Sequence, residues 1–220
     1  MFSESESISQ RFWDKSASDY DDHQLNENYK ALIKTVVSDA GNAEKVLDAA
    51  CGTAIISFAI SENVQQIEAT DYSPEMVSIA KEKALVNDVS NVNFSVQNAS
   101  NLSFPDEYFD TVVICNSLHV IEKTKEALLE FYRVLKVDGK LIAPNACLGE
   151  SEASKEKSKE MISKGFPAYH LFSADEYCKL IEKTGFRVTK RQPVKYRMPM
   201  EYVVAQKNDN TPNPSFNRTR

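Results

Sequence analysis

Four short stretches carry side chains able to do chemistry, and each follows an apolar run. Asp48-Ala49-Ala50-Cys51-Gly52-Thr53-Ala54 joins an acid to a glycine turn; Asp71-Tyr72, Gln97-Asn98-Ala99 and Asn116-Ser117-Leu118-His119 are the others. A carboxylate at a strand end can accept two neighbouring hydroxyls as a charge-assisted pair. A glycine lets the backbone approach a ligand closely. A histidine in such a place can act as a general base near neutral pH, which makes His119 a catalytic candidate. Cys51 reads as a small packing residue of the turn rather than a nucleophile.

Alternating elements must position these residues. Tyr29, Leu32, Ile33, Val36, Val37 and Ala40 recur at helical spacing and end at Gly41. Lys45-Val46-Leu47 predicts a strand stopping at Asp48, and a helix resumes over Ile55 to Ile60. Gln66 to Thr70 is a second strand, ending at Asp71. Ser73-Pro74-Glu75 is a helix start: a hydroxyl cap, proline at the first helical position and an acid in the first turn. Asn93 to Val96 and Thr111 to Cys115 are further strands, the latter with the unbroken apolar pattern of a strand covered on both faces. A helix spans Lys125 to Lys136. Asp138-Gly139 turns into strand Lys140 to Ala143. Residues 151–164 are charged and helix-prone. Ser173-x-x-Glu176 is a capping box. Phe186 to Val188 and Tyr202 to Ala205 are the last strands, expected to form an antiparallel pair at one edge. Helices alternating with strands predict an α/β, doubly wound, mostly parallel sheet. Such sheets bind ligands outside the carboxyl ends of their strands, where the strand order reverses.

Composition narrows the function classes. The chain has 220 residues, 42% hydrophobic and 26% charged, with a net charge of −6. That balance argues against a nucleic-acid partner, which calls for a basic stripe. No apolar run approaches a membrane span, and the polar, acidic start is neither a secretory signal nor a transit peptide. A cytoplasmic location follows as the expectation. Cys51, Cys115, Cys147 and Cys178 lie far apart and read as free thiols, not as a disulfide set or metal site. Residues 1–28 hold seven acids against Arg11 and Lys15; an acidic arm of this kind reads as a solvated surface. His23 reads as a surface residue. Residues 207–220 are polar and proline-broken, expected as a disordered tail. That tail resembles the read-through ends of bacterial gene-cassette proteins, which implies a bacterial origin.

Asp48-Ala49-Ala50-Cys51-Gly52-Thr53-Ala54, Asp71-Tyr72-Ser73-Pro74-Glu75-Met76, the stretch Asn101 to Asp110 and the stretch Tyr132 to Lys140 stand in one order. In these four motifs the chain resembles the class I (Rossmann-like) S-adenosylmethionine-dependent methyltransferases of the small-molecule type. The likeness runs from about Phe12 to Val204. It implies a seven-stranded sheet with an antiparallel edge strand, and S-adenosyl-L-methionine as cofactor with S-adenosyl-L-homocysteine as product. Asp71 would take the ribose hydroxyls. Gly52, with Ala50 and Cys51, would form the turn beside the amino acid end. Asp48 would hold that turn or meet the ammonium. Asn98 would accept from the adenine amino group through its carbonyl. Met76, Ala99 and Leu118 would form apolar walls, with Tyr72 and Asn116 beside them. The resemblance also makes 1–28 an amino-terminal arm or lid, with Tyr20 closing over the cofactor. Residues 29–206 become the cofactor-binding domain, and 151–172 an inserted lid helix and loop. Trp13, Phe166, Tyr169 and His170 are the expected acceptor-site residues.

Two departures stand out. Ala50 and Ala54 replace glycines of the family turn, and Asn98 replaces its usual acid. A left-handed backbone at an alanine costs about 1–2 kcal/mol. They leave open a second reading, a catalytically weak module that binds S-adenosylmethionine or S-adenosylhomocysteine. A dinucleotide oxidoreductase would need Gly-x-Gly-x-x-Gly after the first strand, which Ala50-Cys51-Gly52-Thr53-Ala54 does not supply. Asn116-Ser117-Leu118-His119 is not the Asp/Asn-Pro-Pro-Tyr of enzymes that methylate DNA amino groups, and no Pro-Cys dipeptide is present. The expected function is in-line methyl transfer to a small molecule by a monomer or homodimer, with no nucleic-acid or membrane partner.

Overall fold

The computed structural model describes residues 4–208. The expected tail at 207–220 starts too early, because Lys207 is buried in the last strand and donates to the Leu135 carbonyl; residues 209–220 and the side chain of His23 lie outside the described residues. Strands β1 (Lys45–Ala49), β2 (Gln66–Asp71), β3 (Val92–Val96), β4 (Phe109–Ile114) and β5 (Leu135–Ile142) run parallel. The short β6 (Asn145–Ala146), then β7 (Phe186–Val194) and β8 (Met200–Lys207), complete the sheet. Its order is β3-β2-β1-β4-β5-β8, with β7 outside β8. Ile142 pairs with Val204 and Asn145 with Glu201 in one continuous register, so β6 prolongs β5 along β8. The antiparallel pair at this edge is β7 with β8, and β8 is the strand that runs against its neighbours.

Helices cover both faces. They are α1 (Glu4–Ser16), α2 (Tyr20–Gln24), α3 (Glu27–Ala40), α4 (Ile55–Ile60), α5 (Pro74–Val86), α6 (Thr124–Val134), α7 (Glu152–Ser163) and α8 (Ala174–Lys183). Leu47, Val112, Leu141 and Val203 meet Leu128 and Phe131 of α6 and Tyr177 and Ile181 of α8. Val46, Val113, Ile142 and Val204 meet Leu32 and Val36 of α3 and Ile56 and Ile60 of α4. Successive strand residues point to opposite faces. Because both faces are covered, the strands read as unbroken apolar runs.

One boundary departs from the sequence reading. Helix α6 stops at Val134 and β5 begins at Leu135, three residues before Asp138-Gly139. The expected turn is absorbed inside the strand. Asp138 takes φ +60°, and the register against β4 shifts between Phe109 and Thr111. Glycine is needed there, because a Cβ on Gly139 would lie 2.8 Å from the Lys136 carbonyl oxygen. No helix among the described residues is long and apolar enough to cross a membrane.

Candidate functional site

The ends of β1 and β2 are tied to each other by backbone. The Cys51 N–H donates to the Thr70 carbonyl at 2.9 Å. The Gly52 N–H donates to Asp71 Oδ2 at 2.8 Å, and the Ser73 N–H to Asp71 Oδ1 at 2.9 Å. Ser73 caps α5 by accepting from the Met76 N–H, with Pro74 behind it. Burial raises the Asp71 carboxyl, and the N–H groups of Ser73, Gly52 and Tyr72 pull it back. Along the turn, Ala50, Gly52 and Ala54 take φ of +52°, +55° and +67°. Both alanines therefore occupy left-handed backbone, the conformation that glycine holds without strain.

Asp48 lies beneath this turn and does not line the cavity described next. Val46 and Asp48 share one strand face, and Asp48 Oδ2 accepts from Ser57 Oγ of α4 at 2.5 Å. Burial pushes its carboxyl up to about 7 against the lowering pull of Ser57. Of the two roles expected for it, holding the turn is the one its contacts serve.

A cavity of about 850 Å³, counted to its open mouth, lies over the carboxyl ends of β1 to β4. That size falls within the ordinary range of small-molecule sites. Ala50, Gly52, Asp71, Tyr72, Met76, Asn98, Ala99 and Asn116 line it, together with Trp13, Tyr20 and Tyr169. Tyr20 closes over the turn: its ring would touch a Cβ on Gly52 at 3.5 Å. Burial raises the Tyr20 hydroxyl, with Cys115 and Asp71 adding to the effect. Burial also pushes Tyr72 up to about 12. Asn116, at φ +56°, accepts from the Ala146 N–H at 3.2 Å.

Asn98 is oriented otherwise than the resemblance implies. Its Oδ1 accepts from the Ser100 N–H at 2.9 Å and from Ser100 Oγ at 2.8 Å. Two donors occupy that oxygen, so it is the amide Nδ2 that reaches the cavity side, where it donates to Glu6 Oε1 at 3.2 Å.

The acidic arm is not a bare solvated surface. Asp14 accepts from Ser73 Oγ. Asp21 accepts from Thr53 Oγ1 and pairs with Lys83 at 2.6 Å, while Lys83 also donates to the Thr53 carbonyl at 2.9 Å. Helix α1 packs on α5. Glu6, Ser9 and Trp13 all line the cavity, as do Gln97, Ser117, Glu122 and Lys123. The sequence reading did not select Glu6 and Ser9. A signal existed: residues 6, 9 and 13 follow the i, i+3, i+7 spacing of one helix face.

Six of the sequence-selected residues do not line the cavity: Asp48, Cys51, Leu118, His119, Phe166 and His170. Burial drives the Cys51 thiol well up, consistent with a packing residue. Leu118 lies in the core beneath the site. His119 is buried, and burial lowers it to about 4. Asn145 gives its Nδ2–H to the Ala146 carbonyl, so its Oδ1 accepts from His119 Nδ1 at 3.1 Å. His119 is thus a neutral imidazole at pH 7. Phe166 packs edge-on against Trp13 at 6.2 Å and near His119 at 6.0 Å. His170 braces a loop, its Nε2–H shared by the Ile121 and Glu122 carbonyls at 3.1 Å. Of the expected inserted lid at 151–172, Tyr169 alone lines the cavity.

This arrangement, an open parallel sheet whose second-strand acid grips the turn after the first, defines a Rossmann-like methyltransferase fold. Residues 47–143 match the methyltransferase domain family. Through that segment, just under half of its length, the chain resembles the class I methyltransferases. The demethylmenaquinone methyltransferase of Listeria monocytogenes is 33% identical over 139 residues, 60% of this chain and 57% of that protein. The ubiquinone/menaquinone biosynthesis C-methyltransferase UbiE of Zymomonas mobilis is 33% identical over 98 residues, 44% of this chain and 40% of that protein. The chain spans about half the length of these curated relatives. The N-methyltransferase NodS of Bradyrhizobium japonicum, solved with S-adenosyl-L-homocysteine, shares the fold at a TM-score of 0.74 and 11% identity, over 91% of this chain and 98% of that one.

Proposed function

We propose that the chain is an S-adenosylmethionine-dependent methyltransferase acting on a small-molecule acceptor. The observation that carries this reading is Asp71. Its oxygens are aligned by the backbone N–H groups of Gly52 and Ser73, and the residue lines the cavity. Two vicinal ribose hydroxyls suit a carboxylate held in this way. Glu6, Asp71 and Glu122 line the cavity with Lys123 as the one lysine, a charge balance suited to a ligand with a sulfonium and an ammonium. The cofactor would supply an electrophilic methyl on a cationic sulfur. The chain's own part is orientation and exclusion of water. Gly52 and its neighbours offer close backbone approach, and Trp13 and Tyr20 roof the site. His119, neutral and outside the cavity, is not placed to take the acceptor's proton. The Listeria relative is named for demethylmenaquinone and the Zymomonas relative for ubiquinone/menaquinone biosynthesis, and Trp13 and Tyr169 in the lining suit a flat acceptor ring.

Calorimetry with S-adenosylmethionine, S-adenosylhomocysteine and NADH tests the site. The expected result is micromolar binding of both sulfur compounds, no NADH binding, and loss of binding in a folded Asp71→Ala variant. Normal binding by that variant would refute the assignment of Asp71. A panel of quinols and phenols with radiolabelled cofactor then reads turnover. Binding without transfer to any acceptor favours the catalytically weak module instead.

A further inference from the structure

We infer that Glu6 and Asn98 together read the edge of the cofactor's base, with the acid supplied by the amino-terminal arm. The inference rests on the cavity being the S-adenosylmethionine site proposed above. The sheet order β3-β2-β1 sets three strand ends side by side. At about 4.8 Å per strand, Gly52 to Asn98 by way of Asp71 spans roughly 10 Å. A ligand with its amino acid end at Gly52 and its ribose on Asp71 therefore carries its base to Asn98.

At that end the cavity presents two groups of opposite polarity. Asn98 offers an amide donor, because Ser100 occupies its carbonyl from two sides. Glu6 offers a carboxylate acceptor, nearly buried, with its side chain 12% exposed. Asn98 Nδ2 holds Glu6 Oε1 at 3.2 Å, and Lys123 approaches the same oxygen at 3.4 Å. An amide NH₂ has two donors, so Asn98 can hold Glu6 with one and serve a ligand with the other. Adenine's outer edge carries the matching pattern, an amino donor beside a ring-nitrogen acceptor. Hypoxanthine inverts it, with a carbonyl acceptor beside an N–H donor. Glu6 would face that carbonyl with like polarity, and Asn98 would face an N–H with another N–H.

The pair thus sets base specificity, and Glu6 reaches its place only while α1 lies across the cavity. The test compares S-adenosylhomocysteine with S-inosylhomocysteine, its hypoxanthine counterpart, by calorimetry on the full chain. The wild type should prefer the adenine compound by about 100-fold, as two mismatched polar contacts imply. Glu6→Gln, whose amide can donate to a carbonyl, should lower that ratio at least about tenfold. Glu6→Ala should weaken the adenine compound selectively. If Glu6 only pins the arm, both ligands weaken together and the ratio stays, which overturns the inference while sparing the proposed function. An unchanged affinity for both overturns it equally. A wild-type chain that binds neither compound removes the proposed function and this inference with it.

Discussion

Ala50 and Ala54 each hold left-handed backbone, yet they differ in burial. Ala54 is fully buried, and its methyl contributes roughly 0.8 kcal/mol. Ala50 is half-buried and lines the cavity. Replacement by glycine relieves about 1–2 kcal/mol of strain in either case, and costs roughly 0.5–1 kcal/mol of chain entropy. Ala50→Gly should therefore stabilise by about 0.5–1 kcal/mol, and Ala54→Gly should be close to neutral, once its lost methyl is counted. Chemical denaturation of both variants checks this; equal effects would contradict the burial argument. Asp48 makes a pH prediction. Its folded pKa is about 7 against an ordinary 3.8. Between those values the native state keeps a proton that the unfolded chain has lost, so Asp48 makes stability fall as pH rises. His119 opposes it from about 4 to 6.5, where the unfolded chain holds the extra proton. Relative to wild type, Asp48→Asn should gain about 2–4 kcal/mol from pH 4 to pH 7 and level off above. A flat difference across that range would show that Asp48 is charged in the folded protein.

At the scale of elements, the arm lies across the site. Asp14 on the Ser73 cap, and Asp21 on Thr53 and Lys83, tie α1 and α2 to both ends of the site. A half-buried ion pair with a shared hydroxyl is worth about 1 kcal/mol. Asp21→Ala should raise the dissociation rate of S-adenosylhomocysteine about fivefold while leaving its association rate and the melting temperature nearly unchanged. Stopped-flow kinetics would decide; an effect confined to association would mean that the arm does not hold the ligand in. The elements themselves were largely legible. Ser73-Pro74 begins α5, and Ser173-x-x-Glu176 opens α8 as a capping box. Asp138-Gly139 misled because a turn signal is local, whereas the strand around it is held by pairing with β4.

For the whole molecule, chain order alone predicted alternation and a parallel sheet. Asp71, Gly52 and Asn98 were named as site residues because each follows an apolar run, and all three line one cavity. Their types and their distance from strand ends are sequence properties, since strand length and glycine turns are local physics. What only the tertiary structure decided is which atoms those residues present. Ser100 turns Asn98 into a donor, Asn145 and burial make His119 a neutral residue behind the cavity, and Ser57 holds Asp48 beneath the turn. The acid at the base end comes from Glu6, 92 residues before its partner Asn98. Hydrogen-bond orientation and burial depend on neighbours brought from distant parts of the chain, and no local pattern encodes those.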